Sequence, residues 1–365
     1  MQKDGTKPQN FTYFCFMKKK LLGKTLEELE KVALEVGLQR FAAKQMAQWL
    51  YVKKVRSIDE MTNLSKAARA TLSESYEVGL TEYCGKQIST DGTKKYLFPV
   101  TCQVTRGVYE DGAVEAVMIP DGDRATLCVS SQSGCRMGCK FCMTGRQGFH
   151  GHLSVADIIS QYIAVDESDQ LTNTVFMGMG EPLDNYENVL KAIEILTAPW
   201  GFAWSPKRIT VSTIGVLPAL ERFLNETKCN LAVSLHNPYP QERLSMMPVQ
   251  AAYPIEEVIR LIKKYDWSGQ RRVSFEYTMF AGHNDDKVHA DALFRMLKGL
   301  ECRVNLIRFH KIPDFPYETS RGPIIDAFKD RLNNLGLITT VRASRGEDIL
   351  AACGMLAGEH SKKEK

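Results

Sequence analysis

The sequence of 365 residues contains no run of about 18 apolar residues, which a membrane-spanning helix requires. It also lacks a strong charge of one sign, because 47 basic and 43 acidic side chains leave a net charge of +4. That balance permits a polyanionic partner without indicating one. Near the amino terminus Lys18, Lys19 and Lys20 follow an apolar segment, which is the reverse of a secretory signal. The sequence predicts a cytoplasmic globular protein without a membrane segment.

The regular cysteine spacing of a disulfide framework is also missing, although the chain has 10 cysteines. Three of them, Cys135, Cys139 and Cys142, form a C-x3-C-x2-C cluster. Three thiolates in one short loop suit a cubane [4Fe-4S] cluster and leave one iron open for the amine and carboxylate of S-adenosylmethionine. Structural zinc is the alternative, with His150 or His152 as the fourth ligand.

Apolar residues at helical spacing predict helices over residues 25–36 and 39–54, and a third helix from a Ser65 cap to about residue 76. We expect them to form a small helical domain. Its predicted exposed side chains include a basic group that either meets phosphates or is simply solvated: Arg40, Lys44, Lys53, Lys54 and Arg56.

The pattern changes to short alternating runs between residues 85 and 120. The runs at 94–100 and 113–119 predict antiparallel strands, with turns at Asp91–Gly92 and Asp111–Gly112.

Beyond this β extension, β-rich runs alternate with amphipathic helical windows. The predicted strands are 124–130, 173–179, 208–213, 229–235, 272–279 and 302–309. The predicted helices are 154–167, 184–198, 216–226, 255–266 and 285–298. This alternation predicts an α/β fold with parallel strands, as an open sheet or a partial barrel, whose chemistry lies at the carboxyl ends of the strands.

Glycine and polar residues follow several of these strands. Met177-Gly-Met-Gly-Glu-Pro-Leu183 follows the second strand, and its glycines allow a ligand to approach the backbone closely. Glu181 can accept hydrogen bonds from an amine there. Polar residues after the third, fourth and sixth strands, among them Ser212, Ser234 and His310, fall at the same edge.

The cysteine spacing is that of the radical S-adenosylmethionine superfamily. Further segments narrow the resemblance: Asp123-Arg-Ala-Thr-Leu-Cys, Gln147-Gly-Phe149, Val211-Ser-Thr-Ile-Gly215, Ser234-Leu-His236, Val304-Asn-Leu-Ile307, Arg345-Gly-Glu-Asp-Ile-Leu-Ala-Ala-Cys-Gly354 and Met61-Thr-Asn-Leu-Ser-Lys66. Over residues 21 to 356 the chain resembles the RlmN/Cfr family of radical methyltransferases that act on adenosine in RNA.

The resemblance implies a partial (β/α)6 radical SAM barrel with a small N-terminal helical domain and a β extension. The expected organisation is a disordered extension (1–20, with Met1 or Met17 as the start), a helical RNA-binding domain (21–84), the β extension (85–120), the barrel (121–345) and a catalytic-cysteine loop and tail (346–365).

The resemblance also assigns roles to three residues. Cys353 is the cysteine that becomes methylated and carries the methyl group, and Cys128 is the thiol that releases the product by forming a disulfide with it. Glu115 is the base that removes the ring proton, and its place in an apolar strand is expected to raise its pKa. The alternatives are a core cysteine for Cys128, a surface thiol for Cys353 and an exposed strand glutamate for Glu115.

Further residues match cofactor contacts of the family: Gly180, Glu181, Ser212, Ser234, Leu235, His236 and His310. His310 stands where many members carry asparagine, although histidine can still donate a hydrogen bond. The implied cofactors are one [4Fe-4S] cluster and S-adenosylmethionine, two molecules of which are used per turnover.

The expected activity is methylation of adenosine carbon 2 in the peptidyl-transferase loop of 23S rRNA and in tRNA just 3′ of the anticodon. Gln147-Gly-Phe149 favours this over the alternative, carbon-8 methylation that gives antibiotic resistance. An iron-sulfur RNA-binding redox sensor is the alternative of another class. The expected partners are 23S rRNA, tRNA and an electron donor such as flavodoxin or ferredoxin, and the expected state is a monomer.

Overall fold

The computed structural model describes residues 18–105, 108–269, 271–352 and 354–356. Its strands are β1 (Lys19–Lys20), β2 (Tyr76–Glu77), β3 (Gly85–Ile88), β4 (Lys94–Thr105), β5 (Val108–Asp121), β6 (Arg124–Cys128), β7 (Gln132–Gly134), β8 (Phe149–His152), β9 (Asn173–Phe176), β10 (Ile209–Thr213), β11 (Asn230–Ser234), β12 (Val273–Met279), β13 (Arg303–Arg308) and β14 (Thr339–Val341).

Its α-helices are α1 (Leu26–Glu35), α2 (Ala42–Ala47), α3 (Lys66–Ser75), α4 (Met143–Arg146), α5 (Val155–Ile163), α6 (Tyr186–Thr197), α7 (Leu217–Glu226), α8 (Pro240–Met246), α9 (Ile255–Ile262), α10 (Lys287–Leu297) and α11 (Gly322–Asn334). Among the described helices, none is long and apolar enough to cross a bilayer.

One mixed sheet runs in the order β14-β13-β12-β11-β10-β9-β6-β5-β4-β3. Seven strands of this sheet are parallel, namely β6 and β9 to β14, and helices α5 to α11 connect them along the chain. β7 and β8 form a separate antiparallel pair. The predicted α/β fold with a partial barrel is confirmed, and so are the six predicted strands. The structure adds β14 as a seventh parallel strand, and α8 and α11 as further helices.

The central strands are buried because helices cover the sheet. In β11 the three middle residues are all buried, and in β12 six of the seven residues are buried. Such nearly continuous apolar runs are typical of parallel strands, which lie inside α/β folds. The strand ends that carry polar residues therefore emerge from a rigid core.

The β extension consists of β3, β4 and β5, which continue the sheet antiparallel from β6. The predicted turn at Asp91–Gly92 is confirmed by the hydrogen bond from Ser89 N to Thr93 O at 2.8 Å. The predicted turn at Asp111–Gly112 is wrong, because both residues lie inside β5. There the Thr101 hydroxyl of β4 donates to the Asp111 carboxylate at 2.7 Å, which keeps this Asp-Gly pair in the ladder.

The helical unit at the amino end contains α1, α2 and α3. Thr25 caps α1 in a reciprocal capping box with Glu28, and Ser65 caps α3 as predicted. After α2 the chain continues through a π-helical turn at Gln48–Val52. The predicted helices are thus present, with a change of helical pitch where one long helix was expected.

Two expectations for the amino-terminal region need correction. Lys19 and Lys20 form β1, which pairs with β2, so the expected disorder is wrong for these residues; residues 1–17 lie outside the described part. Lys54 does not belong to an exposed basic face. Its ammonium donates to the Ser168 carbonyl and hydroxyl and pairs with Asp169 at 2.6 Å, tying the helical unit to the barrel.

Candidate active site

A cavity of about 150 Å³ lies at the carboxyl ends of the parallel strands. The structure brings eight predicted site residues together on its wall: Cys135, Cys139, Cys142, Gly180, Glu181, Ser212, Ser234 and His236. We call this cavity the cofactor chamber. The clustering follows from the topology, because parallel strands deliver their carboxyl ends to the same edge of the sheet.

The three cysteines lie on a loop that begins at the end of β7. Gly134 turns the chain with a φ of +70°, and a Cβ there would lie 2.0 Å from the Gly148 carbonyl oxygen. Only glycine fits this position. The Cys135 amide donates to the same carbonyl at 2.7 Å, which closes the base of the loop.

Burial raises the pKa of all three thiols, to about 12 for Cys135 and well above its usual value for Cys139. The thiols are therefore neutral unless cations compensate the thiolates. Iron in a cubane cluster supplies such cations and accepts soft sulfur ligands, so this donor set fits a [4Fe-4S] cluster with one iron left open.

The zinc alternative required a fourth ligand from His150 or His152. His150 instead lies 3.6 Å from Glu110, and Nδ1 of His152 lies 3.1 Å from the Gln132 amide. Neither histidine lines the cofactor chamber. In the described part of the chain, no three His, Cys, Asp or Glu side chains converge on a single metal ion, as zinc requires, whereas the cysteines of a cubane cluster each bind a different iron.

Glu181 is held on the chamber wall by the backbone. Its two carboxylate oxygens accept hydrogen bonds from the Leu183 amide at 3.1 Å and the Ile214 amide at 3.0 Å. Burial raises its pKa to about 7 despite these bonds. The preceding Gly180 has a φ of +99°, and a Cβ there would meet the Gln132 side chain at 2.5 Å. The carboxylate can accept from a ligand amine without moving.

His236 has an unusual backbone for a histidine, with a φ of +58°. The side-chain amide of Asn284 donates to the His236 carbonyl at 2.7 Å, and the backbone amide of Thr278 donates to Nδ1 of the ring at 3.0 Å. Burial, assisted by the charge of Arg243, lowers its pKa to about 3. The ring is therefore neutral and carries its proton on Nε2, which is available as a donor.

Leu235 and His310 do not join the chamber wall. The Leu235 side chain is fully buried in the core, and its carbonyl accepts from Arg243 at 3.0 Å. His310 lines a second cavity of about 260 Å³, where its Nε2 lies 3.2 Å from the Ser344 hydroxyl.

This second cavity, which we call the substrate chamber, adjoins the cofactor chamber. The two share one wall, formed by Met177, Ile307, Arg308, Arg342 and Leu356. Cys128, at the end of β6, lines the substrate chamber.

The segment that follows the 3₁₀ turn at Glu347–Ile349 lines both chambers. Ala351 and Ala352 line the substrate chamber, whereas Gly354 lines the cofactor chamber. The Met143 amide donates to the Gly354 carbonyl at 2.8 Å, and this bond holds the segment against the cysteine loop. Cys353 itself lies outside the described residues, but its two neighbours face different chambers.

Glu115 lies on β5, next to Cys128 on the same side of the sheet. Val117 pairs with Cys128 across β5 and β6, and Glu115, two residues earlier, shares its face. The Glu115 side chain is buried, with the Lys95 ammonium 3.6 Å away. The sequence argument missed Lys95, because an alternating strand is expected to direct its lysines to solvent.

Sequence reasoning also missed Glu276 and Arg342. The Arg342 guanidinium lies 3.4 Å from the buried Glu276 carboxylate and 3.2 Å from the Met177 sulfur. Both residues line the cofactor chamber. Glu276 lies within an otherwise apolar strand, and Arg342 follows the three-residue β14, so neither stood in a recognisable motif.

Two family models match the chain. One describes the radical SAM superfamily and matches residues 129–294. The other describes the ribosomal RNA large subunit methyltransferase N-terminal domain and matches residues 19–78.

Curated relatives match nearly the whole chain. A "Probable dual-specificity RNA methyltransferase RlmN" from Parabacteroides distasonis is 58% identical over 340 residues, covering 93% of this chain and 97% of the relative. One of the same name from Porphyromonas gingivalis is 56% identical, covering 92% and 96%. The "Dual-specificity RNA methyltransferase RlmN" of Syntrophus aciditrophicus is 40% identical, covering 92% and 95%.

A solved structure agrees with these relatives. The crystal structure of a radical SAM methyltransferase from Sphaerobacter thermophilus is 37% identical and superposes with a TM-score of 0.86, covering 93% of this chain and 99% of that one. The radical SAM family implies a [4Fe-4S] cluster and S-adenosylmethionine, which the donor set of the cofactor chamber fits. The chain therefore belongs to the RlmN family and is an S-adenosylmethionine-dependent radical RNA methyltransferase.

Proposed function

We propose that the chain methylates carbon 2 of an adenosine in the peptidyl-transferase loop of 23S rRNA, and of the tRNA adenosine 3′ of the anticodon, through a methylated Cys353. One observation carries the proposal. The residues on either side of Cys353 face two adjoining chambers, Ala352 the substrate chamber and Gly354 the cofactor chamber. A methyl carrier must meet a cofactor on one side and a base on the other.

Cys135, Cys139 and Cys142 would hold the cluster in the cofactor chamber, and Glu181 would accept hydrogen bonds from the amine of S-adenosylmethionine. When bound, the cluster and S-adenosylmethionine supply a methyl group and a carbon radical. Ser212, Ser234 and the Nε2–H of His236, which line the same chamber, would contact the ribose and carboxylate. Leu235 and His310 keep cofactor roles only by family resemblance.

Cys353 makes carbon 2 of adenine reachable. That carbon is electron-poor and has no lone pair, so polar methyl transfer from a sulfonium does not work there. In the proposed route the methyl group on Cys353 would give a hydrogen atom to the carbon radical supplied by S-adenosylmethionine, and the resulting methylene radical would add to the ring, which joins protein and RNA covalently.

Two further residues would resolve this adduct. Glu115, whose carboxylate lies 3.6 Å from the Lys95 ammonium, would take the ring proton, and the unpaired electron left on the ring would pass to a one-electron acceptor, a role that the oxidised cluster would supply. The Cys128 thiolate would then attack the Cys353 sulfur, so that a disulfide forms and the carbon–sulfur bond breaks with its electron pair on carbon, which takes up a proton to become the methyl group. External thiol or electron-donor chemistry must reduce that disulfide before the next turnover.

The helical unit would bind RNA beside the chambers. Lys53 lies 3.6 Å above the Trp49 ring, and Phe41 is two-thirds exposed, so charge and aromatic surface occur together there. The target base must leave its stack to reach the substrate chamber, whose wall carries Arg308, Arg342 and Arg345. The identity of the electron donor, flavodoxin or ferredoxin, and the monomeric state belong to the same proposal.

The site of methylation is tested on digested RNA. We expect 2-methyladenosine in 23S rRNA and tRNA from cells that express this chain in a host lacking the activity, with mass spectrometry as the readout. Predominant 8-methyladenosine would assign the chain to the carbon-8 alternative, and unmethylated tRNA would remove the second substrate.

The two-cysteine route is tested on denaturing gels. Cys128→Ala and Glu115→Ala should each accumulate slow-migrating protein–RNA species, because neither variant can complete release of the adduct. Cys353→Ala and the double variant Cys128→Ala/Cys353→Ala should show none. Cys229→Ala is the matched control, because Cys229 is fully buried and lines neither chamber. An adduct in the double variant would contradict Cys353 as the carrier.

The cluster assignment is tested by anaerobic reconstitution. Replacing Cys135, Cys139 or Cys142 with Ala should remove the iron-sulfur absorbance and the reductive cleavage of S-adenosylmethionine to deoxyadenosine. If a cysteine variant still cleaved S-adenosylmethionine, the cluster assignment would be wrong. If the wild type bound the cluster but did not cleave S-adenosylmethionine, the redox-sensor alternative would be favoured instead.

A further inference from the structure

Arg243 on α8 is a fully buried arginine directly beneath the cofactor chamber. Its guanidinium donates to the carbonyls of Ser234 at 3.0 Å, Leu235 at 3.0 Å and Ile214 at 3.4 Å. Ser234 and Ile214 line the chamber. The side chain thus joins the carboxyl ends of β10 and β11 under the chamber floor.

The acceptors around this cation are all neutral. Besides the three carbonyls, Arg243 also donates to the side-chain oxygen of Gln250. The side-chain nitrogen of Gln250 in turn donates to the Glu256 carboxylate at 3.3 Å. Within the described residues, no carboxylate lies within ion-pair distance of Arg243, and the charge of the more distant Glu256 only partly offsets the burial that lowers the pKa of Arg243. A buried charge that is hydrogen-bonded but has no carboxylate in direct contact is costly, so a fold that retains one gains from a further negative charge nearby.

The cysteine loop lies next to this cation. Cys139 lines the chamber together with Ser234 and Ile214, whose carbonyls accept hydrogen bonds from Arg243. The Lys140 amide, directly after Cys139, donates to the Met246 carbonyl at the end of α8 at 3.0 Å. A cluster held by three thiolates has a net negative charge, and reduction adds one more.

We propose that Arg243 is the counter-charge of the cluster, a positioning residue that fixes the ends of β10 and β11 and favours the reduced state. This inference rests on the proposed cluster site. In a medium of effective permittivity about 20, one unit charge about 12 Å from another changes an equilibrium about tenfold. Because Arg243 donates to the carbonyls of Ser234 and Ile214, two residues on the wall of the chamber that the cysteines also line, removal of the charge should change reduction at least that much.

Arg271 provides a matched control. Its guanidinium also donates to three backbone carbonyls, those of Cys229 at 3.0 Å, Leu224 at 2.8 Å and Phe223 at 3.4 Å. These contacts precede β11 and β12 and therefore lie at the opposite, amino end of the sheet. Arg271 lines neither chamber.

The experiment compares reconstituted wild type, Arg243→Gln, Arg243→Lys and Arg271→Gln in a redox titration followed by cluster absorbance. Arg243→Gln should lower the ratio of reduced to oxidised cluster at least tenfold at a fixed potential, which for one electron is a shift of 59 mV to more negative values. Arg243→Lys keeps the charge and should stay within about threefold of the wild type, as should Arg271→Gln.

Each outcome decides the inference. An unchanged ratio in Arg243→Gln overturns it, and so does an equal loss in Arg243→Lys or Arg271→Gln, because charge near the cluster is then not the cause. If Arg243→Gln takes up no iron, uptake by Arg243→Lys supports the inference and failure of both overturns it. A wild type without iron instead contradicts the proposed cluster site, so the two failures are distinguishable.

Discussion

Replacing Glu181 with Gln removes a buried carboxyl that ties the stability of the protein to pH. Burial raises its pKa from an ordinary 4.5 to about 7 in the folded protein. The folded state therefore holds the proton more tightly than the unfolded chain does. The resulting stabilisation is fully present below about pH 4.5 and is lost as the pH rises through about 7.

The size of this effect follows from the pKa difference. One pKa unit corresponds to about 1.4 kcal/mol, so the whole shift is worth about 3 kcal/mol, of which about 2.5 kcal/mol is lost between pH 5 and pH 8. Glutamine also disturbs the bonds from the Leu183 and Ile214 amides, but that cost does not depend on pH. The pH dependence of the difference between the two proteins isolates the carboxyl.

The assay is urea unfolding of the cluster-free wild type and Glu181→Gln at pH 5, 6, 7 and 8. The wild type should lose about 2.5 kcal/mol relative to the variant across this range. Circular dichroism and fluorescence should give coincident transitions, which shows that unfolding is two-state and that free energies of unfolding can be calculated from it. A difference in unfolding free energy that stays constant from pH 5 to pH 8 would refute the reasoning.

Three further predictions concern the frame of the site. Gly180→Ala should lower the free energy of unfolding by about 3 kcal/mol in denaturant titrations, because position 180 has a φ of +99° and a Cβ there would contact Gln132 at 2.5 Å. As a control, Gly269→Ala should change it by less than about 0.5 kcal/mol, because a Cβ at position 269 meets open space. Equal effects of the two substitutions would contradict this prediction. The His289 ring bridges Asp286 and Glu242 at 2.8 Å each, which raises its pKa despite burial. His289→Gln should therefore cost about 2 kcal/mol below pH 6.5 and progressively less as the pH rises through the folded pKa, and a loss that grows with pH would contradict the ion pairs. The Thr144 hydroxyl donates to the Leu356 carbonyl at 2.8 Å. Thr144→Val should therefore lower the free energy of unfolding by about 1 kcal/mol and speed amide hydrogen exchange in 351–356, whereas Thr144→Ser keeps the hydroxyl and should do neither. Equal exchange in both variants would show that this bond does not hold the segment.

The parts of the fold that local patterns encode were predictable. The strand candidates at 208–213 and 302–309 agree with β10 and β13 because β-branched and apolar residues continue through each of them. β14 was missed because three residues carry no periodicity. The Asp111–Gly112 turn failed because the Thr101 hydroxyl on the partner strand binds the Asp111 side chain, an interaction that the local sequence does not reveal.

The candidate site divides in the same way. Glu181 and His236 follow strands in recognisable segments, so their approach to the cysteine loop followed from the topology alone. Glu276 and Arg342 meet only because β12 and β14 both flank β13, and a register across three strands is not readable from composition. The roles of Cys353, Cys128 and Glu115 remain predictions, which the gel experiment tests.

The helical unit and the barrel are in close contact, which fixes the distance between a surface of the one and a surface of the other. At Gly23 a Cβ would lie 2.6 Å from the Ala156 amide nitrogen, so the two parts meet at backbone distance. Lys191 pairs with Glu28 at 2.7 Å, and the Thr81 amide donates to the Ser160 hydroxyl at 3.0 Å. If one RNA contacts both parts, as proposed above, that RNA must present its loop and its stem at a fixed separation, so the shape of the RNA would contribute to substrate selection in addition to its base sequence.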